Sequence, residues 1–180
     1  MLTPRSIKHC RACGGGVRYQ TPADDNRDRA TCLLCSTIHY ENPLNVVGTL
    51  PVWDDRVLLC LRNIEPRRGL WTLPAGFMEL GETTAEGALR ETVEEAGARV
   101  ELQGLFTLIN VARVGQVHLF YRARLLDERL EPGPETIEAR LFAEVEVPWG
   151  ELAFRTSRRT LELFFADRRA GGFGFHTEDI

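Results

Sequence analysis

The 180-residue sequence predicts an α/β fold, a sandwich built on a mixed β-sheet, with a small separate module ahead of it. Three observations lead there. Aliphatic runs separated by turn residues fill residues 44–62, alternating strands follow between 99 and 125, and two helical patterns with clear ends interrupt and close the series. With 43% hydrophobic and 27% charged residues, the chain is long enough for one good core plus a small appendage.

The appendage comes first. Cys10 and Cys13, then Cys32 and Cys35, spell C-x2-C, eighteen residues, C-x2-C. Each pair suits a tight knuckle that aims two sulfurs at one point, and Gly14 to Gly16 supply the backbone freedom such a turn needs. Four thiolates make a closed tetrahedral site, the pattern of structural zinc. The span VRYQTPADDNRDRAT between the knuckles suits a hairpin but has too few apolar residues for a core, so metal is expected to hold the module together. Two disulfides, or four unrelated cysteines, are the competing readings. The opening MLTPRSIKHC has charges and no apolar stretch of a secretory signal, which favours zinc in a reducing compartment. The ribbon is predicted over residues 1–41 and the main domain over 42–180, with Pro43 disfavouring helix at the boundary.

In the main domain, LNVVGTLPVW (44–53) and RVLLCLR (56–62) flank Asp54-Asp55 and predict a hairpin. Cys60, inside VLLCL, reads as an inert core thiol. Residues 70–77 are broken by Pro74 and Gly76 and read as a loop entering a helix. Thr83-x-x-Glu86 is a capping box that opens the helix ALRETVEEA, and Gly97 stops it. Strands are predicted at 99–109 and 116–125, where Val117, Leu119, Tyr121, Ala123 and Leu125 alternate, with a short one around Ala139–Ala143. Ser157 is expected to open a last helix whose apolar face is Leu161, Phe164 and Phe165, ended by Gly171-Gly172.

Charge excludes some functions. A net charge of -4 and a pI near 5.6 do not suit a surface that wraps long nucleic acid, though they allow a nucleotide substrate. No apolar run approaches the roughly 20 residues needed to cross a bilayer, so no membrane partner is expected and the cytoplasm is the default location.

The first helix carries the chemistry. Glu91, Glu94 and Glu95 lie at i, i+3 and i+4 and share one face, where like charges cost roughly 0.2–0.5 kcal/mol each. Glu82 and Glu86 add charge nearby. A hard divalent cation would offset this crowding and neutralise phosphates at once. The bland alternative is a solvated acidic face on which Arg90 pairs with Glu86 or Glu94.

The segment GFMELGETTAEGALRETVEEAGA (76–98) decides between them. Gly76, Glu82, Arg90, Glu91, Glu94, Glu95 and Gly97 fall in register with the box G-x5-E-x7-R-E-U-x-E-E-x-G-U, U being aliphatic, so the chain resembles the Nudix hydrolases. Thr92 and Ala98 are smaller than usual at their positions. The resemblance implies an α/β/α sandwich and a catalytic magnesium or manganese ion. Glu91 and Glu95 would bind it directly, with Glu94 in the same cluster and the backbone carbonyl near Ala75 adding an oxygen. Arg90 would hold the glutamates, Glu82 would support them, and Gly76 and Gly97 would permit the backbone turns, Gly76 lying against the substrate.

Many Nudix enzymes add a downstream glutamate that orients or deprotonates water. Glu135, Glu138 and Glu144 are the candidates, and Glu138 is preferred because it leads into Leu141-Phe142; Glu91 or Glu94 could serve instead. Arg62, Arg67, Arg68 and Arg113 are candidate phosphate clamps, since guanidinium matches a phosphate edge, and Arg62 at a strand end is the best placed.

The likeness extends over nearly the whole chain. The ribbon, HYENP, NVVG, LLCLRNIEP, GLWTLPAGFMELGE and PGPETIEARLF resemble the zinc-ribbon FAD and ADP-ribose pyrophosphatase branch. That implies cleavage of FAD to FMN and AMP, or of ADP-ribose to AMP and ribose 5-phosphate, and a homodimer, since related enzymes are often dimeric. NADH pyrophosphatases also carry a ribbon but add an SQPWPFPxS-like signature where this chain has LFTLINVARVGQ. Many ADP-ribose hydrolases carry a proline near the position of Val111, Ala112 and Arg113. An RNA-cap or mutagenic-nucleotide hydrolase is a further enzymatic reading. A zinc-ribbon module that binds nucleic acid or protein with little hydrolase activity is the non-enzymatic one, and the intact acidic positions argue against it.

Overall fold

The computed structural model describes residues 7–180; Met1 to Ser6, part of the segment read for a secretory signal, lie outside the described residues. The chain divides into two compact units, one ending at Pro43 and the other running from Leu44 to Ile180.

The first unit is a three-stranded antiparallel sheet of β1 (Val17–Gln20), β2 (Arg29–Cys32) and β3 (Ile38–His39). The polar span between the knuckles forms the expected hairpin. Asp25 fixes its loop by accepting hydrogen bonds from the Asn26 amide at 2.7 Å and from Arg29 Nε at 2.8 Å. Its buried hydrophobic residues, among those described, are Cys10, Ala30 and Cys32, so two of the three are cysteines.

The second unit is a mixed sheet with a helix on each face. β4 (Leu44–Trp53) and β5 (Arg56–Arg62) form the predicted hairpin. β6 (Trp71–Thr72) pairs with β5 and β7 (Ala75–Phe77) with β4, so the stretch expected to be a plain loop is two short strands around Pro74. Helix α1 spans Thr84–Ala96. β8 (Val100–Val111) and β9 (Gln116–Leu125) follow as an antiparallel pair, then β10 (Thr136–Phe142). Helix α2 covers Arg155–Ala170, and β11 (His176–Asp179) ends the chain. The order is β10-β5-β4-β9-β8-β11, with β4–β9 and β8–β11 parallel and the other pairs antiparallel.

β5 shows why its run is apolar throughout. Val57 and Leu59 belong to the core that holds Leu161, Phe164 and Phe165 of α2, and Leu61 packs against it. Leu58 and Cys60 face the other way and pack with Ala96 and Ala98 at the end of α1. A strand covered on both faces loses its polar alternation. Cys60 is buried as expected, and burial pushes its thiol well above the ordinary range.

Two expectations are corrected here. Helix α2 begins at Arg155, and Ser157 is buried in its first turn, its hydroxyl 3.0 Å from that of Thr72. β11 was not foreseen: HTED has no apolar residue to mark a strand, and its pairing with β8 is a long-range event at a sheet edge.

Candidate active site and metal centre

Helix α1 is closed at both ends as its sequence dictates. Thr83 Oγ1 accepts from the Glu86 amide at 3.2 Å while Glu86 accepts from the Thr83 amide at 2.8 Å, and Gly97 ends the helix at φ 59°. Glu86 is therefore engaged in the cap, which lowers its pKa through the Thr83 hydrogen bonds. Between these ends Ala88, Thr92 and Ala96 are fully buried. Thr92, small for its position in the box, has a partner: its hydroxyl lies 2.6 Å from that of buried Thr49 and donates to the Ala88 carbonyl at 2.7 Å.

Glu91 and Glu95, one turn apart, are also buried, while Glu94 is exposed. Arg90 sits at the centre of the acidic group. It donates to both oxygens of Glu82 at 2.8 and 3.0 Å, to Glu91 at 2.7 Å, to Glu94 at 3.1 Å and to the Phe77 carbonyl at 3.2 Å. The Arg90 hydrogen bonds, with one from the Glu79 amide, hold Glu82 down at about 2. The two buried carboxylates go the other way. Burial raises Glu91, against the pull of Arg90, and raises Glu95 to about 8 against a hydrogen bond from the Ala75 amide. Loss of water is the main cause for both, and an added cation would favour their charged forms.

β7 sets the distance between its strand and this face. The Ala75 amide donates to Glu95 at 3.0 Å. A Cβ on Gly76 would fall inside the Glu91 carboxylate, so this glycine provides clearance for Glu91 rather than the turn expected of it; its backbone is not left-handed. Gly97 needs its flexibility twice over, for positive φ and because a Cβ would strike the Glu131 carbonyl.

The downstream candidates separate sharply. Glu138 pairs with Leu61 in register and lies with Arg140 at 3.6 Å, on the α2 side of the sheet and away from α1. This placement counts against the preference for Glu138. The physical reason is a register shift between Thr136 and Glu138, which moves the residues beyond it to the opposite face. Glu144 pairs with Arg168 and Arg169 of α2. Glu135 is the one whose charge acts on both Glu91 and Glu95, raising each.

Arg62, at the end of β5, is buried; its Nε donates to the Pro66 carbonyl at 3.0 Å and its guanidinium stacks 5.0 Å from the Phe154 ring. Its charge favours the ionised form of Glu95. Arg67 and Arg68 are exposed on the loop after β5, and Arg113 is exposed in the 3-10 turn Ala112–Val114 between β8 and β9. Of the four arginines, Arg62 alone is tied to the acidic group. The loop after β5 is laced to the segment before β10, with the Asn63 amide donating to the Glu135 carbonyl at 2.8 Å.

In the first unit all four cysteines converge. The sulfurs of Cys10 and Cys35 are 3.7 Å apart, and those of Cys13 and Cys32 are 3.5 Å apart. A tetrahedral ion with metal–sulfur bonds of about 2.3 Å sets an edge of roughly 3.8 Å, so the donors fit zinc. Among the described residues this is the one group of three or more cysteine, histidine, aspartate or glutamate side chains gathered within 4.8 Å. The glutamates of α1 are not gathered in this way: Arg90 Nη1 bridges Glu91 and Glu94, while Glu95 turns to the Ala75 amide. Their oxygens suit a hard divalent cation by type, and the burial of Glu91 and Glu95 one turn apart, with Glu94 beside them, is the observation that fits one.

Comparison with known proteins agrees with this geometry. The NUDIX domain matches residues 43–164, and the Nudix N-terminal zinc ribbon matches residues 8–41. The chain is 31% identical over 143 residues to an ADP-ribose pyrophosphatase of Methanocaldococcus jannaschii, covering 77% of this chain and 80% of that one. It is 30% identical over 97 residues to the NAD-capped RNA hydrolase NudC of Vibrio parahaemolyticus, of which it covers 35%. A NUDIX hydrolase from Nitrosomonas europaea has a similar crystal structure, with TM-score 0.93 and 46% identity over 97% of this chain and 99% of that one. This chain belongs to the Nudix hydrolase family, in the form that carries a zinc-ribbon module ahead of the catalytic fold.

Proposed function

We propose that the chain hydrolyses the pyrophosphate of a nucleoside diphosphate derivative, with ADP-ribose or FAD as the substrate class. The observation that carries this reading is the pair Glu91 and Glu95, buried one turn apart, with Arg90 joining Glu91 to Glu82 and Glu94. Glu91, Glu94 and Glu95, with the carbonyl of Ala75, are the residues that would hold magnesium or manganese. Such an ion, when bound, neutralises the attacked phosphate and lowers the pKa of water.

The chain's own residues supply the rest. Arg90 keeps Glu82, Glu91 and Glu94 in one constellation. Arg62 presents its guanidinium towards the phosphates, held by the Pro66 carbonyl and the Phe154 ring. Glu135 takes the part first given to Glu138: it stands close enough to perturb both buried glutamates and accepts the proton of the attacking water. The four cysteines bind zinc and keep the ribbon folded.

The ADP-ribose pyrophosphatase relative supports ADP-ribose, since it is matched over most of both chains. The NudC relatives make an NAD-type dinucleotide the second reading. The test is a hydrolysis screen of the full chain with magnesium against ADP-ribose, FAD, NADH, diadenosine polyphosphates and nucleoside triphosphates, with products separated by chromatography. AMP with ribose 5-phosphate or FMN is the expected result. Dominant turnover of NADH moves the substrate to the second reading, and no turnover of any of them refutes the proposal.

A further inference from the structure

The sulfurs of the ribbon receive hydrogen bonds from two sources. Backbone amides are the first: Ala12 points at Cys10 Sγ at 3.3 Å, and Leu34 and Cys35 both point at Cys32 Sγ at 3.4 Å. These come from the knuckle geometry itself. The second source is a pair of side chains on one short segment. Thr37 Oγ1 lies 3.1 Å from Cys35 Sγ, and His39 Nε2 lies 3.3 Å from Cys10 Sγ. Thr37 and His39 are two residues apart, so in the extended backbone leading through β3 they fall on one side of the chain. Cys10 and Cys35 are themselves neighbours in the cluster, at 3.7 Å.

Four thiolates around one divalent ion leave a net charge of about -2 on the cluster. A metal-bound thiolate has no proton to give, so both hydroxyl and imidazole must be donors, which fixes the His39 tautomer with its proton on Nε2. Hydrogen bonds to an anionic acceptor are stronger than neutral ones. They spread the charge and hold each sulfur at its bonding position.

We infer that Thr37 and His39 are positioning residues of the zinc centre: a donor strip that caps the thiolates of Cys35 and Cys10 and slows loss of the metal. Neither residue belongs to the C-x2-C signature. Partners of this kind typically change metal affinity by about 10–100-fold.

The test uses the zinc-loaded full chain and follows release of zinc to a chromogenic chelator. His39→Leu keeps bulk and removes the donor; it is expected to release zinc about tenfold faster. His39→Gln, whose Nε2 can reach the same point, is expected to recover most of the slow release, and Thr37→Val to accelerate it by a smaller factor. In cobalt-substituted protein, the thiolate-to-metal charge-transfer bands are expected to shift in His39→Leu and Thr37→Val and return in His39→Gln. Wild-type release rates in His39→Leu and Thr37→Val would overturn the inference. So would equally fast release from His39→Leu and His39→Gln, because bulk or packing, and not the hydrogen bond, would then be what matters.

Discussion

The two regions of this chain proposed to hold metal are prepared in opposite ways. In the ribbon, four sulfurs already gather at spacings that suit the corners of a tetrahedron, in a unit whose buried hydrophobic residues, among those described, are two of those cysteines and Ala30. On α1, three glutamates share a helix face, Glu91 and Glu94 bridged by Arg90 and Glu95 engaged by the Ala75 amide, on a helix packed against a full sheet. The first arrangement makes the ligands the core. The second makes them cargo on a scaffold that stands without them. Loss of metal should therefore unfold the one and only silence the other.

The largest expected effects separate these regions. Glu95→Gln or Glu94→Gln should lower turnover by roughly 10²–10³-fold while far-UV circular dichroism and zinc content stay as in the wild type. Cys32→Ser should do the reverse, releasing zinc and unfolding the first unit, seen as lost dispersion of its amide resonances. A Glu95→Gln variant that lost its zinc would break the contrast.

A smaller effect sharpens the assignment within the catalytic unit. Glu135→Gln should reduce kcat by about 10²-fold with KM little changed, and Glu138→Gln should leave both near the wild-type values. Steady-state kinetics on the two variants decides which face of the sheet carries the reaction.

Glycine 97 probes the scaffold itself. Gly97→Ala has to bear a positive φ and a collision with the Glu131 carbonyl, so the catalytic unit should lose about 2 kcal/mol or more in denaturant unfolding.

The last effect is a slope. Without added divalent ion, burial raises Glu95 to about 8, whereas in the unfolded chain it titrates near 4.3. The folded state then binds the extra proton between these values. Its stability is highest on the acid side and falls as pH rises from about 5 to 8. A melting temperature that declines over this range, flattens in Glu95→Gln and recovers with magnesium is the expected pattern.

What was legible in the sequence was what depends on near neighbours. The capping box, the stop at Gly97 and the spacing of Glu91, Glu94 and Glu95 are local, and each stands in the structure where the sequence predicts it. Each cysteine knuckle is local too, while the convergence of the two knuckles depends on the hairpin between them. The face on which Glu138 lies was not legible, because one extra residue in β10 alters which side chains face α1, and a bulge leaves no mark in the pattern TIEARLF. Ser157 looked like a cap, but its hydroxyl serves a contact with Thr72, distant in sequence. The reason for Gly76 lay equally far away, in the carboxylate of Glu91.

The central claim is that the glutamate face of α1 is a divalent-metal site for pyrophosphate hydrolysis. Its most direct test is the turnover of ADP-ribose by wild-type and Glu95→Gln protein, each with and without magnesium, with zinc measured in the same samples. The prediction is magnesium-dependent release of AMP and ribose 5-phosphate by the wild type, absent from Glu95→Gln at equal zinc content. Turnover that persists in Glu95→Gln, or that needs no divalent ion, would contradict it.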